Sequence, residues 1–98
     1  MAIRHLVTIQ VAPGKAGEFA IAFKALQATA QAEEGCEQYE LFQGLDDPDK
    51  VVLLERWASQ ALLEKHMEAE RTGNAAAIAA IMALWAPGST PTVERFEV

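Results

Sequence analysis

Four stretches of the chain have the alternation or the residue composition of β-strands. Residues 3–11 alternate and are rich in β-branched types, and residues 36–43 alternate with Tyr39 and Leu41 on one face. Residues 51–57 follow a polar turn at residues 46–49, so the second and third strands are predicted to form an antiparallel hairpin. Residues 92–98 are predicted to form a last strand.

A first long helix is predicted from about residue 15 to residue 33, because apolar residues recur there at helical spacing. Its buried face carries Phe19, Phe23, Leu26 and Ala30. Gly35 is expected to act as a left-handed cap after this helix. The opposite face, with Lys24, Gln27 and Gln31, is expected to be solvated.

A second helix is predicted over residues 60–71, with Ser59 as its N-cap. Leu62, His66 and Glu70 lie four residues apart on it, which places His66 at the edge of the core-facing stripe. Gly73 and Asn74 interrupt the helix, and Asn74 can cap a third helix over residues 75–85. The buried face of that third helix is predicted to consist of Ile78, Ile81, Met82 and Trp85.

The resulting order of elements is β-α-β-β-α(α)-β within one domain of residues 1–98. This order predicts an α+β, ferredoxin-like fold, a four-stranded antiparallel sheet with its helices on one face. The third strand begins with four apolar residues, so both of its faces are apolar. Because the helices can cover only one face, a second subunit is expected to cover the other, the alternative being a monomer with a partly apolar open face.

The charge balance and composition exclude several functions. A net charge of −6 argues against binding to nucleic acid, which needs clustered Lys and Arg. The single cysteine, Cys36, cannot form an internal disulfide. The N-terminal residues lack the apolar core of a signal peptide, and no segment approaches the length of a membrane span, so the expected location is the cytoplasm, away from membranes.

The motifs of common cofactor sites are missing from the sequence. No G-x-G-x-x-G follows a strand, so no nucleotide site is expected. His and Cys residues do not occur in close-spaced pairs, so no metal site is predicted. No G-x-S-x-G motif supports a serine hydrolase.

An ordered set of short motifs resembles the antibiotic biosynthesis monooxygenase family, including the quinol monooxygenases. The motifs are Pro13-Gly14-Lys15, Glu34-Gly35-Cys36-x-x-Tyr39-x-Leu41, Leu54-Glu55-x-Trp57-x-Ser59, and His66. The resemblance covers nearly the whole chain. It implies a dimeric α+β barrel in which each subunit holds a pocket between its sheet and its helices.

The resemblance also implies a chemistry, because members oxidise phenolic or quinol-type substrates with dioxygen and use neither metal nor flavin. Trp57 and His66 match the pocket Trp and His of the family, and Glu55 and Tyr39 match positions beside them. Relatives that degrade haem use an Asn on the first strand as well. The only Asn here is Asn74, which argues against haem degradation.

Six residues are the candidates for the site. His66 is expected to act as a general base toward a phenolic hydroxyl, or else to cap the core with a hydrogen bond. Trp57 either forms a wall against which a flat substrate stacks or belongs to the core. Glu55 would orient His66 or pair with a basic group, and Tyr39, Phe23 and His5 are predicted to contact substrate.

We therefore expect a homodimer, joined through the open sheet face, that acts without a cofactor as a monooxygenase. Its expected substrates are a quinol or polyphenol and dioxygen. Two alternatives remain open at this point. One is a barrel of the same fold that binds a small apolar ligand without turnover, and the other is an isomerase that uses the same pocket.

Overall fold

The computed structural model describes residues 1–98 and contains seven elements. They are β1 (Ile3–Gln10), α1 (Ala16–Gln31), β2 (Cys36–Gln43), β3 (Lys50–Trp57), α2 (Gln60–Thr72), α3 (Ala75–Met82) and β4 (Thr92–Glu97). The four strands form one sheet in the order β2-β3-β1-β4, and every neighbouring pair is antiparallel. The predicted ferredoxin-like α+β fold is confirmed.

The core lies between the helices and one face of the sheet. Buried residues alternate along β3, where Val51, Leu53, Glu55 and Trp57 all point toward the helices. They pack against the buried side of α1, which consists of the four residues predicted from its spacing, Phe19, Phe23, Leu26 and Ala30. Burial of these apolar side chains is the main force that holds α1 on the sheet.

The opposite side of the sheet, here called the open face, carries apolar side chains that no element of the chain buries. Val52, Leu54 and Leu6 are only half-buried, and Phe42 and Phe96 are exposed. These residues alternate with the buried ones along β1, β2 and β3, and the register places Leu6 beside Leu54 and Phe42 beside Val52. The prediction that β3 is apolar on both faces is therefore confirmed.

Several local predictions need correction. Helix α3 ends at Met82 and does not reach Trp85, because Trp85 forms a bridge with Val11 instead. Hydrogen bonds from Ala12 N to Leu84 O and from Ala86 N to Gln10 O hold this segment against the end of β1. Met82, predicted to be buried, is 47% exposed.

Ser59 and Asn74 occupy the predicted N-cap positions, but Gly35 is not the C-cap of α1. The Ser59 hydroxyl accepts a hydrogen bond from Leu62 N at 3.3 Å, as an N-cap should. The Asn74 side chain makes no such bond. Helix α1 ends at Gln31 with Ala32 as its C-cap, so Gly35, with φ of 83°, belongs to the following turn.

Two side chains of α1 that were predicted to be solvated bind the sheet. The amide groups of Gln27 and Gln31 both donate to the backbone carbonyl of Tyr39, at 3.1 and 3.0 Å. They thereby fasten α1 to β2, which is an edge strand of the sheet. None of the three helices combines the length and the apolar character that crossing a membrane requires.

Candidate functional site

A cavity of about 330 Å³ lies between the sheet and α2. Its apolar wall consists of Val7, Leu53, Leu63, Met67 and Val93. Its polar wall consists of His5, Tyr39, Glu55, His66 and Glu70. A mostly apolar space with a few converging polar groups is the usual form of a small-molecule site, and this volume lies at the lower end of the range of such sites, about 300 to 1,000 Å³.

The strand register brings three of the polar side chains together. Glu55 on β3 lies directly opposite His5 on β1 and directly opposite Tyr39 on β2. Residues opposite one another in antiparallel strands point to the same face, so all three side chains enter the helix-covered side of the sheet at one level. Trp57 follows two residues after Glu55 on that face.

His66 lies on helix α2, on the side of the cavity opposite the sheet. Leu63 and His66 are the two buried residues of α2, and the imidazole is only 3% exposed. Its ring stacks on the Trp57 indole, with centroids 4.4 Å apart and an angle of 28° between the planes. The Tyr39 ring meets it edge-on, at a centroid distance of 5.5 Å. Aromatic packing therefore fixes the plane of the imidazole.

Both ring nitrogens of His66 face carboxylates. Nδ1 lies 2.8 Å from Oε2 of Glu33, and Nε2 lies 3.1 Å from Oε1 of Glu70. Nε2 is also 3.8 Å from Oε1 of Glu55. A neutral imidazole has only one N–H, whereas an imidazolium donates from both nitrogens. The arrangement therefore suits the protonated ring.

The pKa of His66 agrees with this geometry. Burial by itself would lower the pKa, but the hydrogen bonds and negative charges of Glu70 and Glu33 outweigh burial and raise it to about 8. Near neutral pH, most molecules therefore carry a positive charge at His66, inside a largely buried site.

Glu55 is the most deeply buried carboxyl group of the site, with 6% exposure. Its Oε1 accepts a hydrogen bond from the Trp57 indole N–H at 3.0 Å. Burial raises the pKa of Glu55, although the Trp57 hydrogen bond and the charge of His66 act in the opposite direction. A carboxylate with a raised pKa binds a proton more readily than an exposed one.

Two further polar groups of the cavity, Tyr39 and His5, are held neutral. Burial, together with the charge of Glu55, raises the pKa of Tyr39, so its phenol keeps its proton. Burial, together with the positive charges of Arg95 and His66, lowers the pKa of His5. The cavity wall thus offers the cation of His66, the two carboxylates of Glu55 and Glu70, and two neutral polar groups.

The structure brings four of the six predicted site residues to the cavity wall, namely His5, Tyr39, Glu55 and His66. Trp57 and Phe23 lie outside the lining. Trp57 is completely buried behind His66, and Phe23 is stacked between Phe19 and Tyr39 in the core. The prediction that a substrate contacts Phe23 therefore has no support in this geometry.

The sequence reasoning did not assign Glu33 to the site, nor six of the residues that line the cavity, namely Val7, Leu53, Leu63, Met67, Glu70 and Val93. Glu70 could have been found, since it lies four residues after His66 on the same helical face. Glu33 is 33 positions away from His66 and carries no local signal. No group of three or more His, Cys, Asp and Glu side chains is arranged to hold a metal ion.

A protein-family model and a curated protein both match this chain. The family model described as antibiotic biosynthesis monooxygenase matches residues 2–78. A curated Bacillus subtilis (strain 168) protein named "Putative monooxygenase YcnE" is 37% identical over 60 residues, which cover 61% of this chain and 63% of that protein. The match therefore spans less than two thirds of the relative's length.

Solved structures share the fold over nearly the whole chain. A Caulobacter crescentus CB15 protein, described as "a putative antibiotic biosynthesis monooxygenase", is 28% identical and superposes with a TM-score of 0.86, covering 99% of this chain and 89% of that one. SnoaB, described as a cofactor-independent oxygenase from Streptomyces nogalater, is 18% identical with a TM-score of 0.84, covering 99% and 92%. At that identity, the likeness to SnoaB concerns the fold alone.

Proposed function

Because the chain belongs to the antibiotic biosynthesis monooxygenase family, we propose that it oxidises a quinol or polyphenol with dioxygen and without a cofactor. The observation that carries this proposal is that the buried His66 ring and the buried Glu55 carboxyl group, 3.8 Å apart, lie on the wall of one cavity. The cavity of about 330 Å³ suits a substrate of one or two rings.

In this proposal Glu55 is the general base. Its carboxyl group lines the cavity and its pKa is raised, so it accepts a proton from a phenolic hydroxyl more readily than an exposed carboxylate does. His66 was predicted to be the base, whereas in this proposal its ring is protonated at neutral pH, because its pKa is raised to about 8, and Glu55 takes the proton. We assign His66 the role of the cation that stabilises the phenolate and the reduced oxygen species.

The proposed reaction balances without an added reductant. The phenolate transfers one electron to dioxygen. The resulting phenoxyl radical and superoxide then combine to form a carbon–oxygen bond. The resulting hydroperoxide loses water and leaves a carbonyl oxygen on the ring. The substrate thus loses four electrons, one oxygen atom enters the product, and the other leaves as water.

Trp57 and Glu33 are positioning residues in this scheme. The Trp57 N–H orients the Glu55 carboxylate, and its ring supports the plane of His66. Glu33, which is 22% exposed, holds Nδ1 from the side of α2 away from the cavity and keeps the imidazole charged. Neither residue touches the cavity, so both act through a neighbour.

The test is oxygen uptake with a panel of one-ring and two-ring hydroquinones, corrected for uptake without protein. We expect turnover by the wild type, a loss of at least tenfold in Glu55→Gln and in His66→Gln, and little change in Glu64→Gln. Glu64 is the matched control, because it is an exposed carboxylate on α2 that bonds only to Gln60. Mass spectrometry after reaction with isotopically labelled dioxygen should find one labelled atom in the product.

Three outcomes would contradict the assignment. Equal rates in the wild type and Glu55→Gln would remove Glu55 as the base. Binding of hydroquinones without oxygen uptake would favour a protein that only binds its ligand, and conversion of the ligand without oxygen uptake would favour an isomerase.

We also propose that two copies of the chain pair through the open face. The exposed Phe42 and Phe96 and the half-buried Val52 and Leu54 support this arrangement, since the contact of these apolar side chains with water is unfavourable. Two sheets that pack face to face would bury it.

A further inference from the structure

A second apolar depression lies on the outside of the helical layer, between α2 and α3. It has a volume of about 470 Å³, and we call it the α2/α3 groove. Its lining consists of Met67, Glu70, Arg71, Ala75, Ile78, Ala79 and Met82. Five of these seven residues are hydrophobic, so the groove offers an apolar surface to solvent.

The groove adjoins the candidate site. Met67 and Glu70 belong to the lining of both the groove and the inner cavity. Both side chains are long and only half-buried, so they form the partition between the two spaces. Methionine is unbranched and adaptable, and rotation of its side chain would widen the passage without a movement of the backbone.

Met82 is an apolar residue of the groove that the core of the protein does not bury. Its position on α3 fits the apolar face that the sequence predicts, yet its side chain is 47% exposed. Ile78, one turn earlier, is only half-buried. The two charged residues of the lining are both paired, Arg71 with Glu68 and Glu70 with His66, and the other five residues of the groove are apolar.

We infer that the α2/α3 groove binds an apolar chain of the substrate whose ring occupies the inner cavity. The substrate class is then a quinol or polyphenol with an alkyl substituent, in which the ring lies beside Glu55 and His66. The chain passes between Met67 and Glu70 and lies along Ile78 and Met82. This inference rests on the proposed function, because it takes the ring site from it.

The experiment measures binding of hydroquinones that carry no chain or a linear chain of two, four or six carbons. The signal is the fluorescence of Trp57, whose ring stacks on His66 at the cavity wall. The measurements use a Trp85→Phe background to remove the second tryptophan. Because the Trp85 indole N–H has no hydrogen-bond partner, this replacement loses no bond.

In this background we expect the dissociation constant to fall by up to about fourfold for each added methylene, since burying one contributes about 0.8 kcal/mol. Met82→Glu and Ala79→Phe place a charge and a bulky ring in the groove. In both variants we expect the gain from the chain to disappear while the unsubstituted hydroquinone binds as before. Ile21→Glu is the control, because Ile21 is 74% exposed on α1, outside the groove lining.

Each outcome decides between the two proposals. An unsubstituted hydroquinone that binds, with no gain from the chain in the Trp85→Phe protein, would overturn the inference and leave the proposed function standing. The same gain in the groove variants would also overturn the inference, since the chain would then bind elsewhere. If no hydroquinone binds or reacts, both proposals fall.

Discussion

The charge of His66 is the residue-level property on which the proposed chemistry depends. The sequence suggested a neutral base, because an isolated imidazole titrates near neutral pH. In the structure, Glu33 and Glu70 contact the two ring nitrogens and raise the pKa to about 8. The same side chain therefore changes from a proton acceptor to a cation, because of two carboxylates that surround it in space.

This charge predicts the direction of the pH dependence of activity. We expect kcat/KM, corrected for uptake without protein, to fall as pH rises through about 8, because the positive charge at His66 is lost there. The decline should move to lower pH in Glu33→Gln, which lacks one of the two carboxylates. A neutral His66 base would instead give a rate that rises through the same range.

The same pKa shift predicts how the free energy of unfolding depends on pH. The pKa of His66 is about 8 in the folded state against 6.5 for the free group, so the folded state binds more protons between these values. The stabilisation is complete below pH 6.5 and is lost as pH rises through 8. The shift corresponds to at most about 2 kcal/mol.

Urea unfolding at a series of pH values between 6 and 9 checks this expectation. Glu33→Gln should show a smaller decline over the same range, since its His66 has one carboxylate fewer. A free energy of unfolding that stays constant in the wild type would contradict the charged His66.

At the level of the elements, the turn between α1 and β2 depends on Gly35. Its φ of 83° is disfavoured for other residues, and a Cβ atom there would lie 2.4 Å from Cδ1 of Leu62 on α2. This close contact lets the turn pass beneath α2, which carries His66. Gly35 therefore lets the turn after α1, which carries Glu33, lie close to α2, which carries His66, the partner of Glu33.

Two glycine substitutions of opposite sign test this role. We expect Gly35→Ala to destabilise the fold by about 1 to 3 kcal/mol, because of its backbone conformation and the contact with Leu62. Gly17→Ala, within α1 and with open space around it, should stabilise the fold by about 0.5 kcal/mol. Thermal unfolding measures both, and a neutral Gly35→Ala would show that the turn adapts.

The sequence patterns predicted the type of every element, because alternation and helical spacing are local properties of the chain. Errors occurred at the ends of elements, where tertiary contacts decide. Helix α3 stops at Met82 because Trp85 pairs with Val11. Gln27 and Gln31 were predicted to face solvent. Their side chains instead donate hydrogen bonds to the backbone carbonyl of Tyr39, on the edge strand β2.

At the level of the whole molecule, the apolar side chains of the open face predict that two copies of the chain form a dimer. We expect sedimentation equilibrium at micromolar concentration to give twice the chain mass of 10.6 kDa. Leu54→Lys, at the centre of the open face, should shift the population toward monomers. Ile21→Lys, on the exposed side of α1, should leave the dimer intact. A wild-type monomer under these conditions would contradict the proposed pairing.

The sequence by itself determined the order of the elements, the ferredoxin-like fold, the doubly apolar β3 and four of the residues that line the cavity. These features follow from periodicity and from short motifs, which depend on near neighbours. Only the tertiary structure decided the rest: Glu33 on His66, Phe23 and Trp57 behind the cavity wall, and the groove beside Met82. The physical reason is that charge, burial and cavity shape depend on groups that meet in space while lying far apart along the chain.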